Sequence, residues 1–322
     1  MATIIKQPSI TIKCSKPTKN VEPVVCMAVE SNTKQWPTNM IWFYSNTANL
    51  SKDNFMPSNH LQTTLSDTLN YFPMLAGRII EDAKGNVTVH LTNEGVLYTE
   101  AECPNQTMDY FIPRTLSDEE FDYEHINTSN LVLKISTYDA LYAHMILVIA
   151  QATQTSLTDN IKILQSFNGR SRFASSCSPA VLNYFGSFPF WLYGKIPSDR
   201  EPTLSSLAQM IHEMYSKQTE HSLRDYNAYL MSGDGDIKKN RVDADVINRD
   251  FHCASWRKVN LLGAKFGNSG YPIYNGPTDV LYPRYFEMMD AHVNDESINI
   301  ILGLREQDYE RMIQQNLIHK YR

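Results

Sequence analysis

The stretch "TYDALYAHMILVIAQATQTSLTDNIKILQSF" spans residues 137–167 and decides the architecture. Its first half, 137–152, sets Tyr138, Leu141, Met145 and Ile149 at helical spacing on one stripe. Its second half, "NIKILQSF" (160–167), is short, apolar and bounded by polar turn residues, which predicts a strand. A helix feeding a strand through a short turn is α/β grammar. Downstream, 203–231 reads as mostly helical with Leu204, Leu207, Ile211 and Met214 as its buried face. "SINIILGL" (297–304) predicts a strand, and "REQDYERMIQQNLI" (305–318) a closing helix carrying Tyr309, Met312, Ile313 and Leu317.

Upstream, the same signals alternate. "PVVCMAV" (23–29) and "MIWFY" (40–44) read as strands. "SNHLQTTLSDTLNYF" (58–72) has Leu61, Leu65, Leu69 and Phe72 at helical steps, with Ser58 as its N-cap. "GRIIEDAKGNVTVHL" (77–91) reads as a hairpin turning at Lys84-Gly85-Asn86. Between 104 and 129 the texture changes to an acidic run with little apolar periodicity, the mark of a solvated connection. The predicted division is a shortened first domain (1–112), an acidic linker (113–136) and a second domain (137–322).

Composition narrows the function. The 322 residues suit about two domains, and 42% of them are hydrophobic, enough for a core without metal or disulfide staples. A net charge of −6 argues against a nucleic-acid partner, whose backbone would call for a basic surface. The cysteines (Cys14, Cys26, Cys103, Cys177 and Cys253) form no CxxC and no metal-ligand spacing with histidine, so reduced thiols, no metal and a cytoplasmic setting are expected. "MATIIKQPSITIKC" holds no signal-type apolar region, and "MILVIA" (145–150) is too short to span a bilayer, so no membrane association is expected. Walker, dinucleotide, zincin, nucleophile-elbow and EF-hand patterns do not occur.

Four local patterns in order resemble the BAHD acyltransferases, which move acyl groups from CoA thioesters onto alcohols or amines. They are "PMLAGRI" (73–79), "TYDALYAHMI…IKILQSFNGRSRF" (137–173), "LNYFGSF" (182–188) and "SWRKVNLLGAKFGNSGYPIYNGP" (255–277). The resemblance covers most of the chain and implies a two-domain, chloramphenicol-acetyltransferase-like α/β fold of mixed sheets with packed helices. It implies acyl-CoA as a co-substrate, no tightly bound cofactor, and a small, specialised-metabolite-type acceptor. Oligomeric state is not implied.

The departures fall on the chemistry. The family's catalytic His-x-x-x-Asp belongs between 102 and 137, where on the order of a hundred residues of a typical member are missing. The histidine there, His125, is followed at the fourth position by Ser129. The family's Thr before Ser-Trp, at the reaction centre, matches Ala254, and its Tyr-Phe-Gly-Asn asparagine matches Ser187. The Asp of its Asp-Phe-Gly-Trp-Gly matches Lys265, which the resemblance would set as a like charge against Arg170. Gly267 and Gly270 read as turn glycines of that motif. Ser255, Trp256, Arg257 and Lys258 are candidates for a CoA groove, their plain alternative being a strand with a buried tryptophan and exposed bases.

Two histidines compete for the vacant role. "HSLRD" (221–225) places His221 and Asp225 four apart, as the catalytic pair would be, but on a helix such a pair is a surface contact first and reads as a decoy. His252, on the strand leading to Trp256, is the better candidate for a substitute base. Three functions follow: acyl transfer from a CoA thioester, a non-catalytic CoA- or metabolite-binding relative or partner subunit, and a repurposed pocket that promotes cyclisation or rearrangement.

Overall fold

A computed structural model describes residues 2–17, 22–33, 38–112, 135–173, 185–232, 243–278, 280, 282–293 and 296–320. The chain runs first through β1 (Ile5–Lys6), β2 (Ile10–Ile12), β3 (Val24–Val25), α1 (Ala28–Thr33), β4 (Met40–Phe43), α2 (Lys52–Phe55) and α3 (Ser58–Tyr71). It continues through β5 (Arg78–Glu81), β6 (Val87–His90), β7 (Val96–Tyr98) and β8 (Ala101–Glu102). Next come α4 (Thr137–Ala152), β9 (Lys162–Asn168), α5 (Arg170–Phe173), β10 (Pro189–Lys195), α6 (Leu204–Ser216) and α7 (Glu220–Leu230). The chain then passes through β11 (Phe251–Ser255), β12 (Tyr274–Pro277), β13 (Tyr285–Asp290), β14 (Ile298–Leu302) and α8 (Glu306–Gln314).

Helix α4 is buried on nearly every side, wider than the single stripe its spacing predicts. Against one flank lie Ile163, Phe251, Cys253, Phe286 and Met288 of the sheet; against another, Leu207, Ala208 and Ile211 of α6. Val148 and Ala152 pack on Met312 and Leu317 at the C-terminal end of the chain. The helix starts on a capping box in which Ser136 and Asp139 bond each other's backbone amides. Ser136 thus belongs to the helix start rather than to a connection.

The sheet beneath α4 has the order β10-β9-β11-β13-β14. Its three central strands are parallel, and β10 and β14 flank them antiparallel. Smaller sheets join β3-β6-β5, β2-β7 and β1-β8 in the N-terminal part. One further ribbon couples distant parts of the chain: β12 pairs antiparallel with β4. Beside it Trp42 Nε1 donates to Leu261 O at 3.0 Å and Tyr44 Oη to Ala264 O at 3.1 Å. The mixed α/β class expected from the sequence is the one observed.

The local departures have local causes. The run 23–29 is a strand only at Val24–Val25; Glu30 then accepts the Met27 amide at 2.7 Å and α1 begins. Helix α3 starts with Pro57 as its cap, because the Ser58 hydroxyl bonds Glu100 instead. Region 203–231 is two helices, the second opened by a capping box of Thr219 and Ser222. The hairpin turns as expected, with Gly85 at φ 92° and Asp82 Oδ1 accepting the amides of Lys84 and Asn86, each at 2.9 Å. Most of the acidic stretch, with His125 and Ser129, lies outside the described residues, as do Cys177 and residues 182–184.

Packing density predicts where stability resides. Ile163 is fully buried against α4, so Ile163→Ala should lower the unfolding free energy by about 2–5 kcal/mol in urea titration. Ile79, 64% exposed on β5, should shift it by less than about 0.5 kcal/mol on the same change.

Candidate active site

The strand registers sort the sheet into two faces. One packs on α4. The other, here the inner face, carries the row His252–Tyr285 and the row Ala254–Glu287–Ile301, with Trp191 opposite Ser166 alongside. His252 Nε2 lies 3.2 Å from Ser166 Oγ, and its ring sits between those of Trp191 (6.1 Å) and Tyr285 (5.0 Å). The β12–β4 ribbon approaches this face through Tyr274, whose hydroxyl folds over Gly276; a Cβ on Gly276 would lie 2.3 Å from it and 3.0 Å from Ile301 Cδ1.

Glu287 is the charged group of this face. It is 4% exposed, and Tyr285 Oη donates to its Oε1. Its Oε2 and the Tyr274 hydroxyl are both buried and have no hydrogen-bond partner among the described residues. Burial raises the Glu287 carboxyl above the usual range, against the smaller lowering effect of Tyr285. Burial, then the Glu287 charge, pushes the Tyr274 phenol up to about 12, so it stays a donor at neutral pH. The composition and motif reading passes over Glu287. The available signal was a lone carboxylate inside the apolar run Tyr285-Phe286-Glu287-Met288-Met289.

The residues singled out in the sequence meet different fates. His252 reaches the inner face, but burial lowers its pKa to about 4, leaving a neutral ring at neutral pH. Ser255 is exposed at the end of β11, and the half-buried Trp256 donates its amide to Met288 O at 2.9 Å. Arg257 Nε bonds Asp290 Oδ1 at 3.2 Å and the Lys258 amide bonds Asp290 Oδ2 at 2.9 Å, so the turn after β11 is tied by one carboxylate.

The like-charge contact expected between Arg170 and Lys265 does not form. Arg170 bonds Gly186 O and Asn168 Oδ1 and covers the Phe188 ring, whereas the Lys265 ammonium lies 3.6 Å from the centre of the Tyr271 ring. Gly267 and Gly270 both have positive φ, 53° and 72°. A side chain on Gly267 would strike Phe55 O at 2.7 Å, because this turn packs on the end of α2. His221 Nε2 lies 3.4 Å from Asp225 Oδ2 on α7, with side chains 87% and 66% exposed: a solvent-facing contact remote from a dry site. Among the described residues no group of His, Cys, Asp and Glu could hold a metal ion, and no helix is long and apolar enough to cross a membrane.

The buried imidazole makes a pH prediction. An unfolded histidine takes its proton near pH 6.5, and folded His252 only near 4, so the unfolded state binds the extra proton between them. Stability is therefore lost as pH falls through that window, by on the order of 3 kcal/mol. His252→Asn should flatten the acid side of the stability curve, read from urea midpoints between pH 7 and 4.

Comparison with known proteins agrees with this architecture. Residues 3–121 match the model of the family described as "Transferase family". No curated protein matches the chain. Among solved structures, vinorine synthase superposes with a TM-score of 0.70 at 14% identity, over 96% of this chain and 96% of that one. TRI101 of F. sporotrichioides, solved with coenzyme A and T-2, superposes with a TM-score of 0.60 at 14% identity, over 93% of this chain and 99% of that one. At such identities the superpositions establish the fold, and the family match adds the sequence of the N-terminal part. The chain is thus similar to this transferase family in the sequence of residues 3–121, and it shares the fold of vinorine synthase and TRI101 along nearly its whole length.

Proposed function

We propose that this protein transfers an acyl group from a CoA thioester to the hydroxyl or amine of a small, specialised-metabolite-type acceptor in the cytoplasm. The observation that carries the reading is the inner sheet face: a dry polar row on β11 and β13, approached by a ribbon whose strands come from the two ends of the chain. We propose a shortened first domain (1–112) and a second domain (137–322) meeting there. The solved complex of TRI101 with coenzyme A and T-2, on this fold, supports a thioester donor and a small acceptor. A groove of about 470 Å³ lies at the β10 edge of the sheet beside α6 and α7, lined by Trp191, Tyr193, Met210, Met214 and Tyr226. That volume suits a small molecule. The free thiols of Cys14, Cys26, Cys103 and Cys253 agree with a reducing compartment.

One observation favours a second reading, ligand binding without turnover. Ala254, matched to the family's reaction-centre Thr, is buried and has no hydroxyl. The two readings separate in one experiment. Acetyl-CoA should raise the melting temperature, and thiol release should need both acetyl-CoA and an alcohol acceptor. Trp256→Ala should weaken the stabilisation at least about tenfold in acetyl-CoA concentration, the loss of one stacking contact of about 1.4 kcal/mol. Stabilisation with no thiol release would establish the binding reading; neither effect would remove both.

A further inference from the structure

The buried carboxylates of this protein mostly have structural duties. Asp250 accepts the amides of Lys162 and Asp245 and pairs with Arg249. Asp308 pairs with Arg311, and Asp139 caps α4. Among the described residues Glu287 has none of these: no cation and no backbone amide bonds it, and its one donor is the Tyr285 hydroxyl. An apolar residue at 287 would continue the run of Phe286, Met288 and Met289 and avoid the desolvation cost of a carboxyl. Among the described residues Glu287 Oε2, a buried acceptor, and Tyr274 Oη, a buried donor, both lack a partner, and the phenol lies close enough to feel the carboxylate's charge.

We propose that Glu287 is the general base of the acyl transfer put forward above, with Tyr274 as the donor to the thioester carbonyl; the assignment rests on that reading. The acceptor's hydroxyl gives its proton to Glu287 Oε2 as its oxygen attacks the thioester carbon. The C–O bond forms, and the carbonyl electron pair moves onto the oxygen that Tyr274 Oη holds by hydrogen bond. Collapse breaks the C–S bond, and the departing sulfur takes the proton from Glu287, which leaves an ester, CoA thiol and the starting carboxylate. Burial holds Glu287 at a pKa better matched to neutral pH than an exposed carboxyl would have. The titratable groups facing it are Tyr285 on its own strand, His252 on β11 and Tyr274 on β12; β14 contributes Ile301, and the Cys253 thiol, which burial and the Glu287 charge keep protonated, lies on the other face of β11. Neutral at pH 7, these leave Glu287 as the group whose ionisation sets the rate, which rises with pH until the carboxyl is fully ionised.

The test compares wild type, Glu287→Gln, Glu287→Asp and Tyr274→Phe with acetyl-CoA and an alcohol acceptor, following thiol release across pH and melting with and without acetyl-CoA. Glu287→Gln should melt no lower than wild type, bind acetyl-CoA unchanged, and lose kcat about a hundredfold or more together with the rise of rate with pH. Glu287→Asp should recover part of the rate, and Tyr274→Phe should lower kcat while keeping the pH profile. A Glu287→Gln rate within threefold of wild type, with the same profile, overturns the assignment. Wild type that binds acetyl-CoA without turnover also overturns it while leaving a binding function standing. Wild type that binds none overturns the functional reading itself.

Discussion

The structure depends on the enclosure of α4. A helix with apolar residues on all sides cannot lie on a surface, so it needs a sheet on one flank and helices on the others. That demand fixes which side of the sheet is dry and hydrophobic. Ile163, Phe251, Cys253, Phe286 and Met288 answer it, and strand alternation then turns Ser166, His252, Ala254 and Glu287 to the opposite side. The polar row is thus the reverse of the core packing, and its placement needs no separate cause.

The sequence made the strongest periodic elements legible. Helix α4, strand β9, the β5–β6 hairpin and helix α8 all lie where local pattern puts them, because each pattern is complete within its own segment. The misreadings arise where a distant partner decides. Ser58 looks like a cap until Glu100 takes its hydroxyl, and residues 26–29 look like strand until Glu30 and the cluster around Phe190 and Leu223 draw the segment into a helix. Strand β13 was not read at all, since its alternation is broken by Glu287 and its apolar residues lie on a fully covered strand.

The site was legible only in part for the same reason. His252 and the turn glycines could be found along the chain, whereas the neighbours of His252 come from β9, β10 and β13. Those neighbours decide its chemistry. His252 and His221 are the same side chain in opposite surroundings, one a neutral ring packed between aromatics and the other a solvated group on a helix face. Lys265 shows the same dependence: the aspartate it stands for would have needed a cation nearby, and the lysine turns to the face of Tyr271 instead.

The β12–β4 ribbon has a consequence for how the chain is made. Trp42 waits for a backbone carbonyl 219 residues further along. At ribosomal rates of about 5–20 residues per second, the interval between the two is roughly ten to forty seconds. During that interval the "MIWF" edge of β4 has emerged while its partner has not yet been synthesised. An apolar strand is thus left without its partner for that interval, and the ribbon that it finally forms is the one that approaches the inner face. The candidate catalytic surface therefore cannot be completed until β12 and β13, more than two hundred residues after β4, have been made.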